Sequence, residues 1–114
     1  MLPTLKSHGA TSVKKSPQLE KHFQTKVLKQ LREIPCSYWI KLNDRATIGL
    51  PDIVGVLAGH FFAIELKTGT KPTKLQLHTL KRLMWSGGHC FVSYPHTWDM
   101  DFKEITRFAA EFDS

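Results

Sequence analysis

Residues 49–69 read GLPDIVGVLAGHFFAIELKTG, and the fold turns on how this stretch divides. Two runs rich in β-branched and aromatic residues, PDIVGVL (51–57) and HFFAIELK (60–67), flank Ala58 and Gly59. That link is too short for a parallel crossover, so an antiparallel hairpin is expected. Asp52, Glu65 and Lys67 stand among residues that otherwise favour burial, and charges are rarely buried unless something pairs with them. If the hairpin turns about Ala58 and Gly59, with a loop of two or four residues, Asp52 falls directly opposite Glu65. Alternation then sets Lys67 on the face of Glu65, with Phe62, Ile64 and Leu66 on the other. A three-residue loop would shift the pairing by one.

Like charges directly opposed on neighbouring strands are destabilising, and a hard divalent cation is the direct remedy. Magnesium takes oxygen ligands, commonly one or two carboxylates, and keeps several waters. Lys67 adds a positive charge that can orient an attacking water or offset charge on phosphorus. The plainer alternative makes Asp52 a turn residue after Pro51, and Glu65 with Lys67 an exposed pair on a half-wet strand.

Working outward, Ser16 and Pro17 suit a helix cap and first helical position. Leu19, Phe23, Val27, Leu31 and Ile34 follow at helical spacing, ending before Pro35. SYWIKL (37–42) reads as a strand and NDRATIG (43–49) as a polar loop. LQLHTLKRLMW (75–85) returns to helical spacing, with Leu77, Leu80 and Met84 on one face and Lys74, His78, Lys81 and Arg82 on another; Gly87 and Gly88 stop it. HCFVSY (89–94) is a fourth strand and DFKEITRFAAEF (101–112) a last helix. Residues 1–15, with Lys6, Lys14, Lys15 and Gly9, read as a flexible basic N-terminal arm outside the core, and 16–114 as a single domain. The fold class is α/β in the order αβββαβα, a mixed β-sheet flanked by helices, because the long helix between the third and fourth strands makes a crossover.

The length, 114 residues, suits one core. Lys and Arg total 16 against 10 Asp and Glu, a formal net charge of +6 that favours a polyanionic partner. A membrane is not expected: no apolar run approaches the roughly 20 residues that span a bilayer, and the first residues carry no signal-like hydrophobic region. Cys36 and Cys90 are too far apart for a clustered zinc site, which suggests reduced, buried thiols in a cytoplasmic setting. Lys71, Lys74, His78, Lys81 and Arg82 form either a solvated helix face or a track for nucleic-acid phosphates, and Asn43 and Arg45 can meet the nucleic acid near the scissile bond. No base-reading motif is evident, so recognition by backbone and shape is expected.

Gly49-Leu50-Pro51-Asp52 and Glu65-Leu66-Lys67, with Glu20 on the first helix and Gln76 early in the next, resemble the PD-(D/E)xK nuclease superfamily. Within it they resemble the standalone, phage-type members of the virus-type replication-repair nuclease (VRR-NUC) branch, over roughly residues 17 to 94. The resemblance implies a restriction-endonuclease-like sheet and metal-dependent phosphodiester hydrolysis. Asp52, Glu65 and the main-chain carbonyl of Leu66 would hold Mg²⁺ or Mn²⁺, with Glu20 joining directly or through water. Lys67 would position or activate the water, and Gln76 would count among the catalytic residues. Glu20 also suits a helix's first turns through the dipole, and Thr73 with Gln76 suits a capping box. The standalone members further imply a homodimeric, Holliday-junction-resolving DNA endonuclease in a bacterial or phage-infected cytoplasm. Trp39, Trp85 and Trp98 are candidates for an interface or for the core. The alternatives are a non-specific, exonucleolytic or RNA-directed nuclease, or a non-catalytic nucleic-acid-binding module.

Overall fold

The hairpin register settles first. In the computed structural model, which describes residues 3–7, 17–43 and 49–112, strands β3 (Ile53–Leu57) and β4 (His60–Leu66) are antiparallel, with Ile53 opposite Ile64 and Leu57 opposite His60. Ala58 and Gly59 have φ values of 51° and 83°, the positive pair that a two-residue type I′ turn requires. The even loop anticipated from the sequence is therefore the one that forms.

The remaining elements, in chain order, are β1 (Leu5–Ser7), α1 (Pro17–Arg32), β2 (Ser37–Lys41), α2 (Lys74–Trp85), β5 (His89–Ser93) and α3 (Trp98–Phe112). The five strands form one mixed sheet in the order β1-β5-β4-β3-β2, with β1, β5 and β4 mutually parallel and β4, β3 and β2 antiparallel. This is the expected α/β sheet flanked by helices, with one strand added at its edge. Leu5–Ser7 pairs with Cys90–Val92, which corrects the reading of 1–15 as an arm lying wholly outside the core. Ser16, Lys14, Lys15 and Gly9 lie outside the described residues, as do Asp44 and Arg45.

Period-two alternation on the central strands separates two cores. On one face Phe62, Ile64, Leu66 and Phe91 pack with Val27 and Leu31 of α1 and with Trp98, Ile105 and Phe108 of α3. On the other, Ala63, Cys90, Val92 and Tyr94 pack with Leu80 of α2. Burial on both faces is what a central parallel strand demands. Trp39 and Trp98 belong to the first core at 2% and 0% exposure, and the Trp98 indole donates to Gln30 Oε1 at 2.5 Å, so of the three tryptophans only Trp85, 71% exposed, is left for an interface. Cys90 is buried as expected, whereas Cys36 is exposed.

Gly55 faces Trp39 across β2 and β3. A β-carbon there would press into the Trp39 indole and the Tyr38 carbonyl oxygen. Gly55→Ala should therefore lower the urea midpoint, by about 1–3 kcal/mol of stability, as overpacking of a tight core does.

Candidate active site

Continuing the β3–β4 register one step past Ile53 and Ile64 sets Asp52 opposite Glu65. The same continuation on the other side, past Lys41 and Ile53, sets Leu42 against Asp52, and the Leu42 N–H donates to the Asp52 carbonyl at 2.8 Å. Asp52 is thus fixed by its main chain to β2, and its side chain turns to β4: Oδ2 accepts the Leu66 N–H at 2.8 Å.

One step further, Leu66 falls opposite Pro51. The N–H and C=O of one strand residue point to the same side, so the Leu66 carbonyl also faces β3. Proline has no N–H to offer it. Pro51 ends the ladder and leaves a main-chain oxygen beside Asp52 without the donor that a strand neighbour would supply. Gly49, at φ 89°, makes the approach to this corner possible: a β-carbon there would press on Leu75 and Thr79 of α2.

Glu65 shares the α2-side face of β4 with Ala63 and lies across from Val92 of β5. Its side chain is only 2% exposed and its Oε2 atom has no hydrogen-bond partner. Burial is the largest influence on its carboxyl, followed by the hydrogen bond and the negative charge of Asp52; together they push its pKa up to about 9, against the opposing Lys67 charge and the Leu66 N–H. Lys67 is half-buried, anchored through its N–H to the Ser93 carbonyl at 3.0 Å. Just after β5, Tyr94 is fully buried in the α2-side core and its hydroxyl has no partner.

The other anticipated residues fall in different places. Glu20 accepts from the buried Thr68 hydroxyl at 3.5 Å, so it approaches the end of β4 through Thr68. Among the described residues no three or more His, Cys, Asp or Glu side chains converge on a metal position. Gln76 takes the capping role: its Oε1 accepts the Thr73 N–H at 2.9 Å while its own N–H donates to the Thr73 hydroxyl at 3.1 Å. This is the capping alternative read from the sequence, with the side-chain oxygen engaged at the helix start. Lys71, Lys74, His78, Lys81 and Arg82 are all exposed along α2 and the loop before it, and Asn43 is exposed just after β2. Arg45 lies outside the described residues.

Two carboxylates, one of them with a buried and unpartnered oxygen, and a main-chain carbonyl released by proline make an all-oxygen set suited to a hard cation that keeps waters of its own. Thr68 and Tyr94 went unnoticed in the sequence, since what singles them out is contact with Glu20 and with the sheet face, neither of which has a local signal. Compared with known proteins, the chain matches no family model and no curated protein.

In the folded chain Glu65 keeps its proton up to about pH 9, whereas unfolded it loses it near the ordinary carboxyl value of 4.5. Between those limits the folded state holds more protons, so this contribution to stability is complete below 4.5, declines as pH rises, and is gone above about 9. The thermal midpoint of the metal-free protein should fall across this window, and Glu65→Gln, whose amide stays neutral, should flatten the decline. Mg²⁺ should raise the wild-type midpoint, more at higher pH where it competes with fewer protons, and leave that of Glu65→Gln unmoved.

Proposed function

We propose that this protein is a divalent-metal-dependent nuclease of the PD-(D/E)xK type, with a restriction-endonuclease-like fold, that hydrolyses phosphodiester bonds in DNA, favouring branched or junction DNA. The observation that carries the reading is the Asp52–Glu65 pair, with Glu65 Oε2 buried and unpartnered. Asp52, Glu65 and the Leu66 carbonyl would hold Mg²⁺ or Mn²⁺. When bound, such a cation lowers the pKa of a water and offsets charge on the phosphate. Lys67 orients the attacking water and stabilises the negative charge that develops on the phosphoryl oxygens. The Leu66 N–H holds the Asp52 carboxylate in place, and the cations of α2 draw the backbone along the helix toward the acids.

A second copy of the chain is part of the same proposal. Tyr38, Val56 and Phe61 lie side by side across β2, β3 and β4, are 74%, 48% and 37% exposed, and offer an apolar row that a partner can cover. The absence of any base-reading motif supports recognition of DNA shape over sequence.

The test is cleavage of a labelled immobile four-way junction beside a linear duplex of the same sequences, in Mg²⁺ or EDTA. Paired, metal-dependent nicks confined to the junction are expected, with Glu65→Gln and Lys67→Ala reducing the rate at least about 100-fold. Equal cutting of both substrates would keep the nuclease and discard the junction preference. Tight binding with no cutting in either metal would replace it with a binding module.

A further inference from the structure

On the sheet face away from α2, a cleft of about 450 Å³ lies between α1 and the edge strand β2, lined by Lys29, Arg32 and Lys41 with Gln24, Thr25 and Leu28. Among the described residues Glu33 is the one carboxylate in that lining, so three cations face one anion. Lys29 and Arg32 are three apart on α1 and therefore neighbours on its surface. Arg32 donates to the Trp39 carbonyl at 3.4 Å, which holds its guanidinium at the sheet edge. Lys41 ends β2, and the next residue, Leu42, is the one that bonds the Asp52 main chain.

We infer that this cleft is a second phosphate site, which takes the sugar-phosphate backbone of the nucleic acid after it has crossed the β2 edge from the acids. The inference rests on the nuclease reading for the identity of the polyanion. The cations of α2 lie on one side of the sheet and the cleft on the other, and among the described residues β2 is the edge strand beside β3, which follows Asp52. A single strand or one arm of a branched DNA that bends over this edge touches both cationic surfaces, whereas a straight duplex lying on α2 touches one. Exposed lysines and an arginine beside an apolar Leu28 contact phosphate and sugar without reading bases.

The test is equilibrium binding of fluorescent four-way junction, linear duplex and single strand in EDTA, across a salt series, for the wild type and Lys29→Ala/Lys41→Ala. Arg32 is kept, because its bond to Trp39 supports the edge. The double variant is expected to bind the junction more weakly and to lose about 1.8 from the slope of log affinity against log salt, about 0.9 for each phosphate contact. Lys41→Gln alone, at an exposed edge position, should lose about half as much, so a folding defect in the double variant does not decide the matter. Lys103→Ala on α3 removes the same charge elsewhere and should leave the slope unchanged. An unchanged slope in the cleft variants, or an equal change in Lys103→Ala, would overturn the inference. So would loss of binding to anionic phospholipid vesicles with nucleic-acid binding intact. The assay contains no metal, so a Glu65→Gln protein that cuts normally would remove the nuclease site and leave the slope result standing.

Discussion

The two-residue turn at Ala58 and Gly59 is the constraint on which the rest depends. Positive φ at both positions fixes the twist and the pairing of β3 and β4, and a slip of one residue would carry every side chain of a strand to the opposite face. Phe62, Ile64 and Leu66 would then leave the α1–α3 core, and Glu65 would enter it. The same register that builds two cores therefore brings two carboxyl groups together, and burial with the Asp52 neighbour leaves Glu65 protonated. Asp52 and Glu65 need no strong local preference to meet, because the apolar residues between them and the turn decide where they stand.

The two ends of the sheet are built from opposite materials. Near the turn, His60 and His89 approach within 3.4 Å and Phe62 and Phe108 close over them at ring distances of 4.6–5.1 Å, an aromatic seal. At the other end Pro51 stops the ladder, and polar groups take over: the acid pair, Lys67, Thr68 with Glu20, and Ser93 donating to Asp101 at 2.7 Å. Glu65 can be relieved of its isolation by a proton or by a cation, and the neighbouring Lys67 favours the ionised form without reaching balance. Near neutral pH such a group keeps its proton.

Much of this was legible in the sequence because it is periodic or local. The helical spacing of Phe23, Val27 and Leu31, the short link at Ala58 and Gly59, and the Thr73–Gln76 box each follow from residues within one or two turns of each other. Asp52 and Glu65 are thirteen residues apart, yet the hairpin makes them local too. What escaped was long-range or context-dependent. Leu5–Ser7 has a common composition and becomes a strand only because β5 has a free edge. The contact of Glu20 with Thr68 joins residues 48 apart and has no local signal. The last helix begins at Trp98, three residues ahead of the periodic segment, because the indole is buried and anchored by Gln30, a partner 68 residues away.

Strand β1 carries one more consequence. Its pairing joins Leu5 to Cys90, and Lys6 is tied to Glu104 of α3 at 3.0 Å, so contacts close a loop of nearly the whole chain. Loop-closure entropy makes such a contact one of the last to form during folding, after the hairpin and the crossover have built the platform that receives it. Until then β5 presents a bare parallel edge, the kind that recruits strands from other molecules. Paired in place, these three residues cover that edge, and Leu5 packs against the α2-side core.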